Sequence, residues 1–442
     1  MSLFSRTMPL VEPEIPRTLS WAKTFLLSTW RDSLLTFILI IAGVAGSLYT
    51  QSRIDDRLYY RAAGEEVYFN ADVPRVFENM TDRKSDHFRT KVHPLFLMAS
   101  FPPAFVLEKG FNLSPERSVQ LVVAAAVGVW ISMVYLVLRV SGSRMPDAFI
   151  LVLLLSSSGA AIVWSAVPET YMFGSISLLV PLLIVAAGRY VKIDWKCYVA
   201  ASAFSLSMTI TNWMSGLLMS ALRMPPKTAF RISVYAFYAV VTIWGVQQAI
   251  FKDTPFFLDP TVERHVMLRN EWGGPGHNLT SALFHGMITP ELKSIPLPAN
   301  PGTDAGVRED YLITTLQLSQ PGSAGTVGRI AVGVWVLLLV GGVAGLVLTK
   351  GDGEYRIMLG LLLLAQIGLH TIYGEEAFLY SIHYMPLFIL LLAWGARTKA
   401  RPVVLGLAGL LVVLAAYNNI NQFNNLAAAI HKHCEIHASN AT

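Results

Sequence analysis

Cysteine is almost missing from this chain, with two in 442 residues. Cys197 opens an apolar stretch and Cys434 lies in the tail, which argues against a disulfide framework or a cysteine metal site. Charge is scarce too. Asp, Glu, Lys and Arg make up 14% of the residues, against 53% that are hydrophobic, and that balance argues against a soluble domain. No basic segment interleaved with aromatics is present, so no nucleic-acid partner is expected. No P-loop, dinucleotide fingerprint or zincin motif occurs, and no internal repeat or low-complexity tract. With no soluble domain to hold a nucleotide, a nucleotide-sugar donor is not expected.

What fills the chain is a series of apolar stretches, many of roughly 17–25 residues, long enough to cross a bilayer core of about 30 Å. The fold class is an all-α polytopic membrane protein. Spans are expected near 33–49, 119–138, 147–166, 171–188, 197–211, 212–222, 231–251, 328–349, 355–373, 378–395 and 402–418. Residues 197–222 are long for one helix and short for two, and a break is read at Thr211-Asn212. Residues 17–30 suit an amphipathic surface helix, and helix 1 is read as a retained anchor rather than a cleaved signal. The run 95–107, broken by Pro102-Pro103, is too short to span and is assigned to the interface.

The positive-inside rule tests this count of eleven. With the N-terminus cytoplasmic, the turns holding Arg139 and Arg144, Arg189 to Lys196, Arg223 to Arg231, Lys350 and Arg356, and Arg397 to Arg401 all fall on one side. Two large outer loops result, 51–118 and 252–327. The chain then divides into an N-terminal module (1–251), an outer loop (252–327), and C-terminal helices with an outer, peripheral tail from Asn418 (328–442).

The polar residues concentrate on the outer side. Asp72 is the leading candidate for a general base, because a carboxylate at an interface can take a proton from a substrate hydroxyl. A solvated loop acid is the alternative reading, and Asp55 and Asp56 are rival bases. Arg89, Lys91 and His93 approach the membrane together and suit a phosphate headgroup, or simply anchor the loop to anionic lipid. Glu169 and Tyr171 lie at the mouth of a span, where an acid is a functional candidate or a helix-dipole partner. Asn212 marks the break, and Glu375, Glu376, His383 and Tyr384 cluster at the tenth span. His87, His93 and Asp86 are a weak set for a divalent ion; no cofactor is assigned and a metal is left open.

In layout the chain resembles the GT-C superfamily of membrane glycosyltransferases that use polyprenyl-phosphate sugars, such as aminoarabinose transferases and protein O-mannosyltransferases. Loop 1 directly follows helix 1. Asp72-Val-Pro-Arg75 is similar to the family's Asp-x-x-Arg segment, His93-Pro94-Leu95 to its Lys/His-Pro segment, and His383-Tyr384-Met385-Pro386 to a late Arg/His-Tyr-x-x-Pro segment. Glu169 stands where a second outer acid belongs. The family Lys is here His93, leaving Lys91 or Arg89 as the phosphate cation, and the acid beside the catalytic Asp in some members is here Val73.

The resemblance implies an inverting transferase in a bacterial inner membrane, with its site facing the periplasm. Asp72 and Glu169 would be catalytic. Arg89, Lys91, His93, His383 and Tyr384 would hold the donor phosphate. Arg75, Asp86, His87, Tyr171, Asn212, Arg264, His265, Glu375 and Glu376 would contact donor or acceptor. Its partners would be a polyprenyl-phosphate sugar, membrane lipid and a glycan, lipid or protein acceptor. A flippase for a lipid-linked saccharide is the main alternative. A polysaccharide polymerase or ligase resting on Arg264, His265 and His285 is another, and a non-catalytic scaffold a third.

Overall fold

The computed structural model describes residues 19–61, 67–258, 267–268, 272–297, 308–374 and 376–440. Helix dominates, at 75%. The order is α1 (Leu19–Gln51), α2 (Val73–Thr81), α3 (Phe96–Phe105), α4 (Pro115–Val140), α5 (Met145–Ser156), α6 (Gly159–Trp164), α7 (Tyr171–Ala187) and α8 (Trp195–Met208). It continues with α9 (Trp213–Arg223), α10 (Pro226–Ile250), α11 (Gly274–Phe284), α12 (Thr326–Leu348), α13 (Gly353–Ile372), α14 (Ser381–Gly395) and α15 (Arg401–Asn440). Between α11 and α12, strands β1 (Lys293–Leu297) and β2 (Arg308–Thr315) form an antiparallel ribbon.

Among the described residues, seven helices are long and apolar enough to cross a membrane: 30–51, 115–140, 226–250, 326–348, 353–372, 377–395 and 401–436. Helices α5 and α7 are apolar but shorter. Every stretch expected to span is helical. The expected 147–166 span divides into α5 and α6, and the 197–222 stretch breaks at Thr209–Asn212 into α8 and α9, as its length demanded.

The packing follows apolar pattern. α14 is apolar on all sides, and 94% of its span is buried, whereas 17% of the α10 span is. A helix without a polar face belongs at the centre. α14 runs against α12, α13, α5 and α7. Its contact with α12 is backbone to backbone, since a Cβ on Gly345 would lie 2.4 Å from the Trp394 carbonyl. Small residues at crossings let apolar helices approach where lipid offers no hydrophobic drive.

The basic turns meet at one end of the bundle. Arg139 pairs with Asp32 of α1 at 2.8 Å, Arg401 with Asp147 at 2.5 Å, and Arg223 with Glu354. Asp352 takes both Arg189 and Arg397, while Arg397 also donates to the Ser141 carbonyl at 2.6 Å. So the turns grouped by the charge rule do share a face, and the helices between them run out and back.

One expectation fails. The tail from Asn418 is not peripheral: α15 runs unbroken to Asn440, and Asn418 and Asn419 are buried. Asn419 donates to the carbonyls of Ser157 and Met287, each at 2.8 Å, and accepts from the Thr289 amide at 2.9 Å. Polar sequence looked like a solvated tail, but these amides satisfy backbone groups freed at the α5–α6 break and in the turn after α11.

Candidate active site

A left-handed pair, Phe69 (φ 53°) and Asn70 (φ 60°), turns the chain sharply ahead of α2. Tyr68 and Phe69 are buried there against Trp164 and Phe378, and the Tyr68 hydroxyl donates to the Val163 carbonyl at 2.8 Å. That packing sets Asp72 at the N-terminus of α2, with Pro74 in the first turn. A helix start favours a carboxylate, yet the Asp72 side chain caps no backbone amide. Arg75, one turn on, donates to Oδ1 at 2.7 Å, and Arg89 reaches Oδ2 through both Nε and Nη2. Asp86 stands behind Arg75 at 3.3 Å and is largely exposed.

Arg89 and Lys91 lie on a single 3-10 turn, Phe88–Lys91. His87 holds that turn against α2. Its Nδ1 lies 2.8 Å from the Asn79 side-chain oxygen and its Nε2 3.1 Å from the Arg83 carbonyl, with the ring edge-on to Phe251. His87 therefore packs rather than facing a ligand.

His93 leads into α3. Its Nδ1 donates to the Met208 carbonyl at 2.8 Å, which leaves Nε2 as the acceptor, 3.1 Å from the Thr170 hydroxyl. Burial pushes its pKa down to about 4, helped by the Arg89 charge. It is a neutral ring, and the cations of this group are Arg89 and Lys91. Glu169 behaves oppositely. Burial, and then the Asp72 charge, push its pKa up to about 7. Its Oε2 accepts from the Thr170 amide at 2.5 Å and from the Thr170 hydroxyl at 3.1 Å. One hydroxyl hydrogen thus serves two acceptors. With Glu169 ionised it turns to the carboxylate; with Glu169 protonated it is free for His93 Nε2.

These residues edge a cavity of about 270 Å³. Arg89, Lys91, His93, Tyr171, His370 and His383 supply its polar wall, together with the 209–211 segment that breaks α8 from α9. Phe257, Met267 and Leu369 supply apolar surface. Leu268 donates to the Ile372 carbonyl at 2.7 Å, and this backbone contact holds Met267 in the cavity wall. Asp72 and Glu169 are not on the wall; Asp72 meets the cavity through Arg89.

The other candidates spread out. Asn212 is fully buried and donates to the Gly174 carbonyl at 2.8 Å, satisfying backbone near the break. Tyr384 donates to the Ala377 carbonyl at 3.1 Å, away from the cavity. Glu376 anchors the ribbon: its Oε2 accepts from the Thr315 hydroxyl and from the amides of Leu316 and Gln317, each at 3.3 Å. Burial lifts its pKa to about 7. Asp55 pairs with Arg57, which holds its pKa at about 2, and touches His431. Asp56 accepts from Gln120 at 3.0 Å. Both therefore belong to the junction of α1, α4 and α15. His285 is buried at the end of α11 with no partner on either nitrogen. Arg264, His265 and Glu375 lie outside the described residues.

Sequence reasoning missed His370. It sits late in α13, stacked on Tyr380 with ring centroids 4.3 Å apart. An ionisable residue inside an apolar helix was the available signal. Among the described residues no three His, Cys, Asp or Glu side chains gather as a metal site. No family model, curated protein or solved structure matches this chain.

Proposed function

We propose that this chain is an inverting membrane glycosyltransferase that moves a sugar from a polyprenyl-phosphate donor to an acceptor hydroxyl. The observation that carries the reading is the position of Arg89, which grips Asp72 on one side and lines a cavity between apolar helices on the other. A lipid phosphate entering that cavity would draw the guanidinium, which forks well onto two oxygens. Oδ2 of Asp72 is then released to take the acceptor's proton. The acceptor oxygen forms its bond to the anomeric carbon as the carbon–phosphate oxygen bond breaks on the opposite face. The polyprenyl phosphate leaves on Arg89 and Lys91, and Glu169 beside Asp72 discourages a second buried negative charge. Met267, Phe257 and Leu369 make part of the cavity wall apolar and limit water there.

In this reading α5 with α6, then α7, α8 and α9 supply four further passes and bring the seven long helices to eleven. The N-terminus and the basic turns are cytoplasmic, and the cavity opens on the outer face of a bacterial inner membrane. A carrier for a lipid-linked saccharide is the second reading. It is favoured by the occupation of both Asp72 oxygens by arginines. Release of polyprenyl phosphate from a polyprenyl-phosphate sugar, by the chain in lipid nanodiscs, separates the two. Acceptor-dependent release with an inverted product supports the transferase. Donor binding with no release across an acceptor panel supports the carrier.

A further inference from the structure

Two buried imidazoles in the cavity wall lack a partner on one nitrogen each: Nδ1 of His370 and Nε2 of His383. Each residue is 3% exposed. For His370 a chain of hydrogen bonds fixes which nitrogen holds the proton. Asn212 Nδ2 donates to the Gly174 carbonyl at 2.8 Å, so Asn212 Oδ1 faces the other way. That oxygen accepts from Gln366 Nε2 at 3.4 Å, which turns Gln366 Oε1 toward His370. His370 Nε2 lies 3.0 Å from Oε1 and must donate to it. A second proton, on Nδ1, would leave a charged N–H bare among apolar helices, which is costly. His370 Nδ1, in a residue that lines the cavity, therefore keeps an unshared lone pair. His383 Nε2 is likewise without a partner.

A neutral acceptor nitrogen selects its ligand. A phosphate or carboxylate brings only lone pairs and is repelled, whereas a hydroxyl brings the hydrogen it needs. Gly174 packs directly on the His383 ring, since a Cβ there would lie 2.8 Å from its Nε2. The stacked Tyr380 ring locks His370 in place. We infer that His370 Nδ1 marks a hydroxyl-reading subsite that accepts a hydrogen bond from the sugar ring of a phosphorylated sugar, while Arg89 and Lys91 hold its anion. The cavity, about 270 Å³, has room for a sugar ring. The inference rests on the donor reading above for the phosphate end alone. A site built to pair a hydroxyl discriminates strongly against a ligand that lacks it.

Binding to the full chain in nanodiscs tests this, with farnesyl phosphate and its glucose, mannose and arabinose esters as probes. The wild type should bind at least one ester more tightly than farnesyl phosphate. His370→Phe should cost that ester about tenfold or more and leave farnesyl phosphate within about twofold. Two results overturn the subsite: no ester binds better than farnesyl phosphate, or a folded His370→Phe protein loses both probes equally. Nitrogen NMR of histidine-labelled wild type is the second measurement, should the variant fail to fold. It must show Nδ1 of His370 unprotonated, and a protonated Nδ1 sinks the proposal. Sugar-dependent binding without any transfer would remove the transferase reading and leave the subsite standing.

Discussion

Arg89 and Asp72 share a forked contact, Nε and Nη2 both reaching Oδ2, while Arg89 itself lines the cavity. Arg75 holds the other Asp72 oxygen at 2.7 Å but is not on the cavity wall. The two arginines therefore have separable tasks. Arg89→Gln should weaken farnesyl phosphate binding by about 10- to 100-fold, the worth of a charge-assisted hydrogen bond. Arg89→Lys should recover part of it, since an ammonium keeps the charge but not the fork. Arg75→Ala should leave that affinity within about twofold. Titration of farnesyl phosphate into nanodisc-embedded protein reads all three, and equal losses for Arg75→Ala and Arg89→Gln would erase the distinction.

Glu376 should make stability fall as pH rises. Its native pKa lies near 7, raised by burial from an unfolded value of 4.5. Between those values the native state holds a proton that the unfolded chain has released, so native stability declines across that window and levels off above it. His93 and His285, with pKa values depressed by burial to about 4 and about 3, act in the opposite sense between those values and the unfolded 6.5. The whole-protein curve is thus a sum of opposing terms, and the variant difference is the clean quantity. Glu376→Gln should gain on the wild type by about 2 kcal/mol from pH 5 to pH 7.5, at 1.36 kcal/mol per pKa unit. Thermal unfolding in detergent across that range checks it, and parallel pH curves for the two proteins contradict it.

The fold was legible in the sequence wherever apolar runs and basic turns recur. The break at Thr209–Asn212 followed from a stretch too long for one helix, and the basic turns do meet at one end. Polarity alone misled where it serves the interior. Asn418 and Asn419 read as tail yet bind buried backbone, because an amide inside an apolar bundle has the same letters as one in water. In the site, Arg89, Lys91, His93 and His383 were visible as charge near membrane-length runs, and the cavity brings them together. The tautomer of His370 was not readable, because Asn212, Gln366 and His370 are joined only by folding.

Asn419 offers a direct check on that lesson. Asn419→Leu strands the Ser157 carbonyl and the Thr289 amide, both buried, and removes one of the two donors to the Met287 carbonyl. Each stranded group costs about 1–3 kcal/mol, so a loss of about 3 kcal/mol or more is expected. Asn425, exposed on the same helix, should tolerate Ala with little change. Unfolding midpoints of the two variants decide it, and a neutral Asn419→Leu would contradict the assigned role.

The α12–α14 crossing should be intolerant of a single methyl. A Cβ at Gly345 meets the Trp394 carbonyl and the Gly395 amide at 2.4 Å, and backbone cannot step aside as a side chain can. Gly345→Ala should cost about 3 kcal/mol, the upper end for overpacking. Gly46 in α1 faces open space, so Gly46→Ala should be neutral or mildly stabilising. Equal midpoints would show that these helices do not meet as described.

The most direct test of the transferase reading is sugar transfer by Asp72→Asn beside the wild type, with farnesyl phosphate binding measured on the same preparations. Asparagine keeps the shape of the side chain and loses its ability to take a proton. The account predicts that transfer falls by about 10²- to 10⁴-fold, the usual contribution of a general base, while binding persists. Transfer by Asp72→Asn at the wild-type rate would contradict it.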